Sequence, residues 1–592
     1  MQLKKKVVYQ VFTRLFGNTT TTNKPWGRIE ENGIGKFNDF SDTALQEIRN
    51  LGVTHIWFTG ILHHAVINDY TSVGIGNDHP DVVKGRAGSP YAVKDYYNVN
   101  PDLALNPAER LLEFTELLMR THTNGLKAII DIVPNHVARN YKGKSNPEGI
   151  SDFGANDDKT VTYSRNNNFY YNPGQRFVVP EWLHDYKPLG GENHPLSDAK
   201  FVEFPAKWTG NNSRLSQPHF YDWYETVKLN YGVNPDGFKD FDSLPDGFDK
   251  KDFKEHYAFW LGKSVPDTWL KMKDIALYWL DRGVDGFRYD MAEMVPVEFW
   301  SFLNSAIKMK NPDAFLLAEV YNPAEYRNYI YLGKMDYLYD KVEMYDTLKG
   351  IIQGHGNTDS IAGIQNGLAD IEHQMLHFLE NHDEQRIASP EFAGNAQKGK
   401  PAMVVSACIS TSPTLIYFGQ EVGEAAAENA GFGSASRTSI FDYVGVPGHQ
   451  RWVNNKKFDG GMLLPEEKEL RNFYRQLLQF TLKSNALMGN YREIHGHNRA
   501  YTPYYNNHVF SFVRYSDDEK LIIVCNFHAY DTFGFDLQIP PYIIEIWGLT
   551  DGEYSLTDQL FQKVTTKLYV NNGLGKTRVT LAALESFILR IE

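Results

Sequence analysis

Cysteine is nearly absent. Cys408 and Cys525 are the two in 592 residues, too few for a disulfide framework, and no Cys or His spacing matches a metal site. The fold must therefore hold by packing, and both thiols read as buried hydrophobes. Excess positive charge is missing too: 60 Lys and Arg stand against 73 Asp and Glu, a net charge of −13. That excludes the clustered cations needed to neutralise phosphates, so nucleic acid is not an expected partner. Repeats and low-complexity tracts are lacking. No apolar run reaches membrane-spanning length, and the basic opening carries neither a sustained apolar segment nor a small-residue cleavage site. The expectation is a chain without a membrane partner or signal peptide, cytoplasmic unless it is the processed form of an exported protein. Its oligomeric state stays open.

What is present is globular: 42% hydrophobic and 22% charged residues are ordinary for a packed protein. The length suggests about two to four domains. The organising stretch is Gly-Val-Asp-Gly-Phe-Arg-Tyr-Asp-Met-Ala-Glu-Met, residues 283–294. It reads as a buried parallel strand, preceded by an amphipathic helix at 269–280, and it delivers Arg288 and Asp290 two positions apart on one face. The same helix-to-strand rhythm runs through strands at 6–12, 52–60, 125–133, 314–321, 335–340, 375–379 and 413–419, with helices at 42–50 and 110–121. Eight parallel strands with intervening helices make an α/β chain with a closed (β/α)8 TIM barrel.

Two regions break the rhythm. Between 138 and 263 the chain is rich in Asn, Gly, Pro, Tyr and Asp without α/β alternation, which reads as a subdomain inserted after strand three. After a helix at 466–482, period-two segments at 508–515, 520–527, 543–547 and 578–591 point to a C-terminal antiparallel β-sandwich. The expected division is a barrel of 1–137 and 264–488, an insertion of 138–263 and a C-terminal unit of 489–592.

A barrel gathers the residues at its strand ends into one mouth. Here these are Asp131, Asn135, His136, Arg288, Asp290, Glu319, His382 and Asp383. Carboxylates beside an Arg and two His are the equipment of glycosidic-bond cleavage, one acid attacking and another donating a proton to the leaving oxygen. An Asp nucleophile needs a nearby cation to keep its pKa low, and Arg288 sits on its strand face; Glu319 needs the opposite treatment. Singly, each carboxylate is more often a cap or turn residue, and each His a satisfied structural one. Their joint placement is what carries weight.

Four stretches resemble the signature motifs of the α-amylase family of glycoside hydrolases, in order: Asp-Ile-Val-Pro-Asn-His (131–136), Gly-Phe-Arg-Tyr-Asp (286–290), Leu-Leu-Ala-Glu-Val (316–320) and Glu-Asn-His-Asp (380–383). Tyr91 is similar to the family's sugar-stacking tyrosine. The resemblance implies Asp290 as nucleophile, Glu319 as acid/base and Asp383 as transition-state stabiliser. Tyr91, His136, Arg288 and His382 would bind substrate. It implies a retaining hydrolase of α-1,4 bonds in starch-derived glucans or maltooligosaccharides. A transglycosylase or isomerase of the same family is the alternative, and a non-catalytic carbohydrate-binding relative a further one. No cofactor is needed for this chemistry and no residue is assigned to a metal. A structural calcium ion is compatible with the resemblance, Asn135 and the loop 30–35 offering oxygens. Two departures stand out: Glu293 and Met294 replace a common Lys-His pair, and Lys228 stands where an acid is common.

Overall fold

The computed structural model describes residues 4–561 and 565–592. Eight parallel strands form the central sheet: β1 (Val7–Phe12), β2 (His55–Thr59), β3 (Lys127–Ile132), β4 (Gly286–Tyr289), β5 (Phe315–Ala318), β6 (Tyr337–Tyr339), β7 (Met375–Leu376) and β8 (Thr414–Tyr417). Neighbours pair in chain order from β1 to β7, and β8 returns to β1. A parallel bridge between His377 and Thr414, with Leu415 N donating to the His377 carbonyl at 2.9 Å, joins the last seam and closes the barrel.

The alternation of side chains along each strand explains what fills the barrel. Val8, Trp57, Ile129, Leu317, Tyr339, Leu376 and Leu415 form one cluster inside it. The alternate residues, such as Val7, Tyr9, Ile56, Phe58 and Ile130, face outward and join the larger core under the helices. Both faces are buried, so the strands read as continuous apolar runs. Two positions beyond the inner apolar layer, the same face carries Gln10, Asp131 and Glu319, with Arg288 two beyond Gly286. The period of two that packs the barrel floor therefore aims polar residues at its C-terminal mouth.

Between β3 and β4 the chain first makes short ladders, His136–Ala138 with Thr226–Lys228 and Tyr171–Asn172 with Ala206–Lys207, and then two helices, Phe253–Trp260 and Asp267–Asp281. A helix at Pro465–Thr481 follows the barrel. Beyond it eight strands form one antiparallel sheet: β9 (Asn490–Glu493), β10 (Val509–Tyr515), β11 (Lys520–Asn526), β12 (Phe533–Ile539), β13 (Gly552–Asp558), β14 (Thr565–Asn571), β15 (Leu574–Leu581) and β16 (Ser586–Ile591). Val513, Ile522, Phe535, Leu568 and Val579, drawn from separate parts of that sheet, share one core, so it curls face to face on itself.

The expected strand at 543–547 is instead a helix, Pro541–Ile546. Pro541 occupies its first turn, where the missing N–H costs nothing, and Ile543 and Ile544 bury one face. The expected strand at 578–591 is two, β15 and β16, parted where Leu584 takes a left-handed φ of 59°. Among the described residues no helix is long and apolar enough to cross a membrane.

Candidate active site

Gly286 opens β4 because a Cβ there would lie 2.2 Å from the Phe315 carbonyl oxygen on β5. Only glycine lets the two strands approach this closely. Arg288 follows, fully buried, and its guanidinium joins three acids. Nη1 donates to Asp290 Oδ1 at 2.9 Å and to Asp131 Oδ1 at 3.4 Å, while Nη2 donates to Glu319 Oε2 at 2.8 Å. Asp131 is held from the other side by Trp57 Nε1 at 2.9 Å. Directly after Asp290, Met291 takes a left-handed φ of 46°, a strained backbone of the kind that collects at functional sites. Its amide donates to Glu319 Oε2 at 2.8 Å, and the Tyr321 hydroxyl bonds to the same carboxyl group. Neither Met291 nor Tyr321 was among the sequence expectations. Tyr321 stands two residues past Glu319, the strand spacing that could have found it.

On the far side of Arg288, the Tyr91 ring stacks on His382 with centroids 5.3 Å apart, and its hydroxyl bonds His382 Nε2. Gln10 Nε2 lies 2.9 Å from His382 Nδ1, and Asp383 Oδ2 lies 3.1 Å from His382 Nε2. Asp383 is more open than Asp131, Asp290 or Glu319, its side chain 42% exposed. His136 is oriented by Asn135 Nδ2, 3.0 Å from its Nδ1, with Trp223 5.2 Å from its ring. The seven residues given roles by the resemblance, Tyr91, His136, Arg288, Asp290, Glu319, His382 and Asp383, thus lie at one end of the barrel.

Burial dominates the electrostatics. The Asp290 carboxyl is pushed well above the usual range by burial, and Glu319 and Asp383 add to this while Arg288 opposes it. This corrects the expectation that Arg288 would hold it low: desolvation outweighs one guanidinium shared among three acids. Asp131 rises to about 6, burial again outweighing Arg288. Burial drives His382 well down and His136 to about 3, so both rings are neutral hydrogen-bonding groups at neutral pH.

The two departures have structural consequences. Glu293 Oε2 accepts from the amides of Tyr321 at 2.9 Å and Asn322 at 3.1 Å, tying the loop after β4 to the loop after β5. Lys228 Nζ donates to Asn135 Oδ1 and to the Met294 carbonyl at 3.2 Å. The residues at the proposed calcium place therefore do not fit the ion, because the oxygen it would take already accepts from an amine. In the other candidate loop, Glu31 Oε1 bonds Lys24 at 2.5 Å, Glu31 Oε2 accepts from the Arg28 amide at 2.9 Å and Asn32 Oδ1 from the Lys24 amide at 2.8 Å. Among the described residues no group of three or more His, Cys, Asp or Glu could hold a metal.

A closed parallel barrel with three buried carboxyls on one guanidinium, and a fourth acid at the mouth, suits O-glycosyl hydrolysis. The family profile for the alpha-amylase catalytic domain matches residues 10–190 and 261–457, most of the chain, and the protein belongs to the alpha-amylase family. It is 23% identical over 584 residues to Alpha-amylase 3 of Dictyoglomus thermophilum, covering 90% of this chain and 87% of that one. Neopullulanase 2 of Thermoactinomyces vulgaris is 22% identical over 541 residues, covering 88% and 69%. Among solved structures, an alpha-amylase from H. orenii superposes with a TM-score of 0.60 at 19% identity, covering 100% of both chains. A maltogenic alpha-amylase from Thermotoga neapolitana gives 0.59 at 17%, covering 100% of this chain and 99% of that one. At such identities the solved structures show the fold alone.

Proposed function

We propose that this enzyme hydrolyses α-glucosidic bonds, chiefly α-1,4, in starch-derived glucans and maltooligosaccharides with retention of configuration. The observation that carries the reading is the shared guanidinium, which bonds Asp290 Oδ1 at 2.9 Å and Glu319 Oε2 at 2.8 Å. Two carboxyls held on adjacent nitrogens of one side chain suit a retaining pair, which needs a separation of roughly 5 Å. The mechanism requires a productive state with the proton on Glu319 and the charge on Asp290.

In the first step Asp290 attacks the anomeric carbon, the glycosidic C–O bond breaks, and Glu319 gives its proton to the leaving oxygen. In the second, Glu319 takes a proton from water, which attacks the same carbon and frees Asp290. Two inversions restore the starting configuration. Asp383, the exposed acid, would bind sugar hydroxyls more tightly as the ring flattens, Tyr91 would stack on the ring, and His136 and His382 would donate to its hydroxyls. No cofactor enters. Lys228, rather than a calcium ion, joins the insertion to the barrel at Asn135. The barrel of 1–137 and 264–488 would carry the chemistry, the insertion of 138–263 would shape the cleft, and 489–592 would pack outside it.

Proton NMR of maltoheptaose digestion tests the mechanism. The first-formed anomer is expected to be α, and a first-formed β-anomer excludes double displacement.

A further inference from the structure

The insertion does not stay beside β3. Its segment 182–192 crosses the rim to meet loops that follow β1, β2 and β8. Leu189 is 2% exposed and packs among Ala65, Ile67, Val83 and Ala92 of the loop after β2. Trp26, from the loop after β1, lies 6.0 Å from the Tyr186 ring of the insertion and 6.3 Å from Phe432 of the loop after β8. Tyr186 and Phe432 are themselves 5.8 Å apart. Three rings from three separate stretches close a triangle.

Polar contacts lock it. The Glu192 carboxylate pairs with both Arg28 and Arg86. Arg86 Nε donates to the Trp26 carbonyl at 2.6 Å, and the Trp26 amide donates to the Ala430 carbonyl at 3.1 Å. Trp26 keeps a left-handed φ of 61°, a conformation that costs a bulky residue energy and is held only when its surroundings enforce it. Gly190 presses against the indole, where a Cβ would come within 2.7 Å of the ring. All three rings stay partly exposed, so they present faces as well as packing.

The chemistry says which end of the cleft this is. Glu319 must face the leaving group to protonate it, so the β4–β5 sector receives the leaving sugars. That sector is open, with a cleft of about 540 Å³ beside Trp208, Lys228, Glu293 and Met294. In a ring of eight strands β1 lies across from β5. The Trp26–Tyr186–Phe432 clasp, which draws Trp26 from the loop after β1 and Phe432 from the loop after β8, therefore lies on the side of the rim away from β4 and β5.

We propose that this clasp ends the cleft on the non-reducing side, so that the enzyme takes the chain ends of α-glucans and cuts off short oligosaccharides instead of threading internal segments. The inference rests on the assignment of Glu319 as the acid. The test uses the full-length enzyme with p-nitrophenyl maltoheptaoside, either free or blocked by an ethylidene group at its non-reducing end, and follows amylose viscosity alongside reducing sugar. The blocked substrate is expected to react at least roughly tenfold more slowly, because a closed pocket rejects added bulk. Viscosity should fall late. Glu192→Gln and Trp26→Ala should each narrow the gap between the two substrates and bring the viscosity drop forward. Equal rates on both substrates with an early viscosity drop in the unaltered enzyme overturn the clasp while leaving glucan hydrolysis intact. Failure to hydrolyse either substrate or amylose overturns the functional reading itself, and the clasp with it.

Discussion

Two β structures in this chain use their inward positions for opposite ends. In the C-terminal sheet the alternation is plain: along β15, from Leu574 to Leu581, buried and exposed residues take turns, and Leu568, Val570, Val579 and Leu581 meet in an apolar core. In the barrel the same alternation ends in Asp131, Arg288 and Glu319, all buried. Burying apolar groups stabilises at about 25 cal/mol per Å², whereas burying these charges costs free energy that their pairing only offsets. The inward residues of the sheet hold the protein together. Those of the barrel mouth would, on the proposed mechanism, serve chemistry, and Asp290 bears the cost as a carboxyl forced above its usual range.

Crossed substitutions should break the two structures in opposite ways. Asp290→Asn is expected to lower kcat by roughly 10⁴-fold or more, as losing a nucleophile does, while its melting temperature stays level or rises, since one buried charge is gone. Leu568→Ala should cost about 2–5 kcal/mol of stability through the cavity it leaves, with kcat of the folded enzyme unchanged. Parallel kinetics and thermal melts decide it; an inactive Leu568→Ala that melts normally would erase the distinction.

The barrel was legible because both strand faces are apolar and each strand ends in its own polar signature, so eight short runs and four motifs could be placed in order. The C-terminal sheet was only half legible. In β14, Leu568 and Val570 are the buried side chains, two apolar residues two apart in an otherwise polar run, which mark no strand by themselves, and β9, β12, β13 and β14 were not expected from the sequence. Ile543, Ile544 and Trp547 suit a short strand as well as one face of a helix, and a run of that length does not separate the two. The seven proposed site residues were picked out by local motifs. What stayed hidden were contacts between distant stretches: Lys228 on Asn135, Glu293 on the loop after β5, and Trp26 against Tyr186 and Phe432. No pattern along the chain encodes which loops will touch.

A smaller effect sharpens the electrostatic half of the comparison. Arg288→Met removes the one cation shared by Asp131, Asp290 and Glu319, and kcat/KM is expected to fall by roughly 10²–10³-fold. Arg288 opposes the upward shift of Asp290 and Asp131. Without it both carboxyls hold their protons to higher pH, so the acid limb of the pH profile must move to higher pH. Residual activity whose acid limb stays in place would show that burial alone sets these groups.

The smallest effect concerns Lys228, whose amine burial brings from its ordinary 10.5 down to about 7. Between those values the unfolded chain carries a proton there that the folded protein does not, so the unfolded state binds more protons and stability rises with pH. Below about 7 both states are protonated, and the burial penalty is then felt in full. Lys228→Met removes this dependence but leaves Asn135 Oδ1 without its donor, a loss of about 1–3 kcal/mol at any pH. The variant should therefore compare most favourably with the unaltered enzyme below pH 7 and fall steadily behind as pH climbs towards 10.5. Melting curves of both proteins across that window supply the check, and a difference that stays flat with pH would mean that Lys228 remains charged where it is buried. In that event it would act as a fixed cation between the insertion and the barrel, and the mouth would owe its balance of charge to two buried cations instead of Arg288 alone.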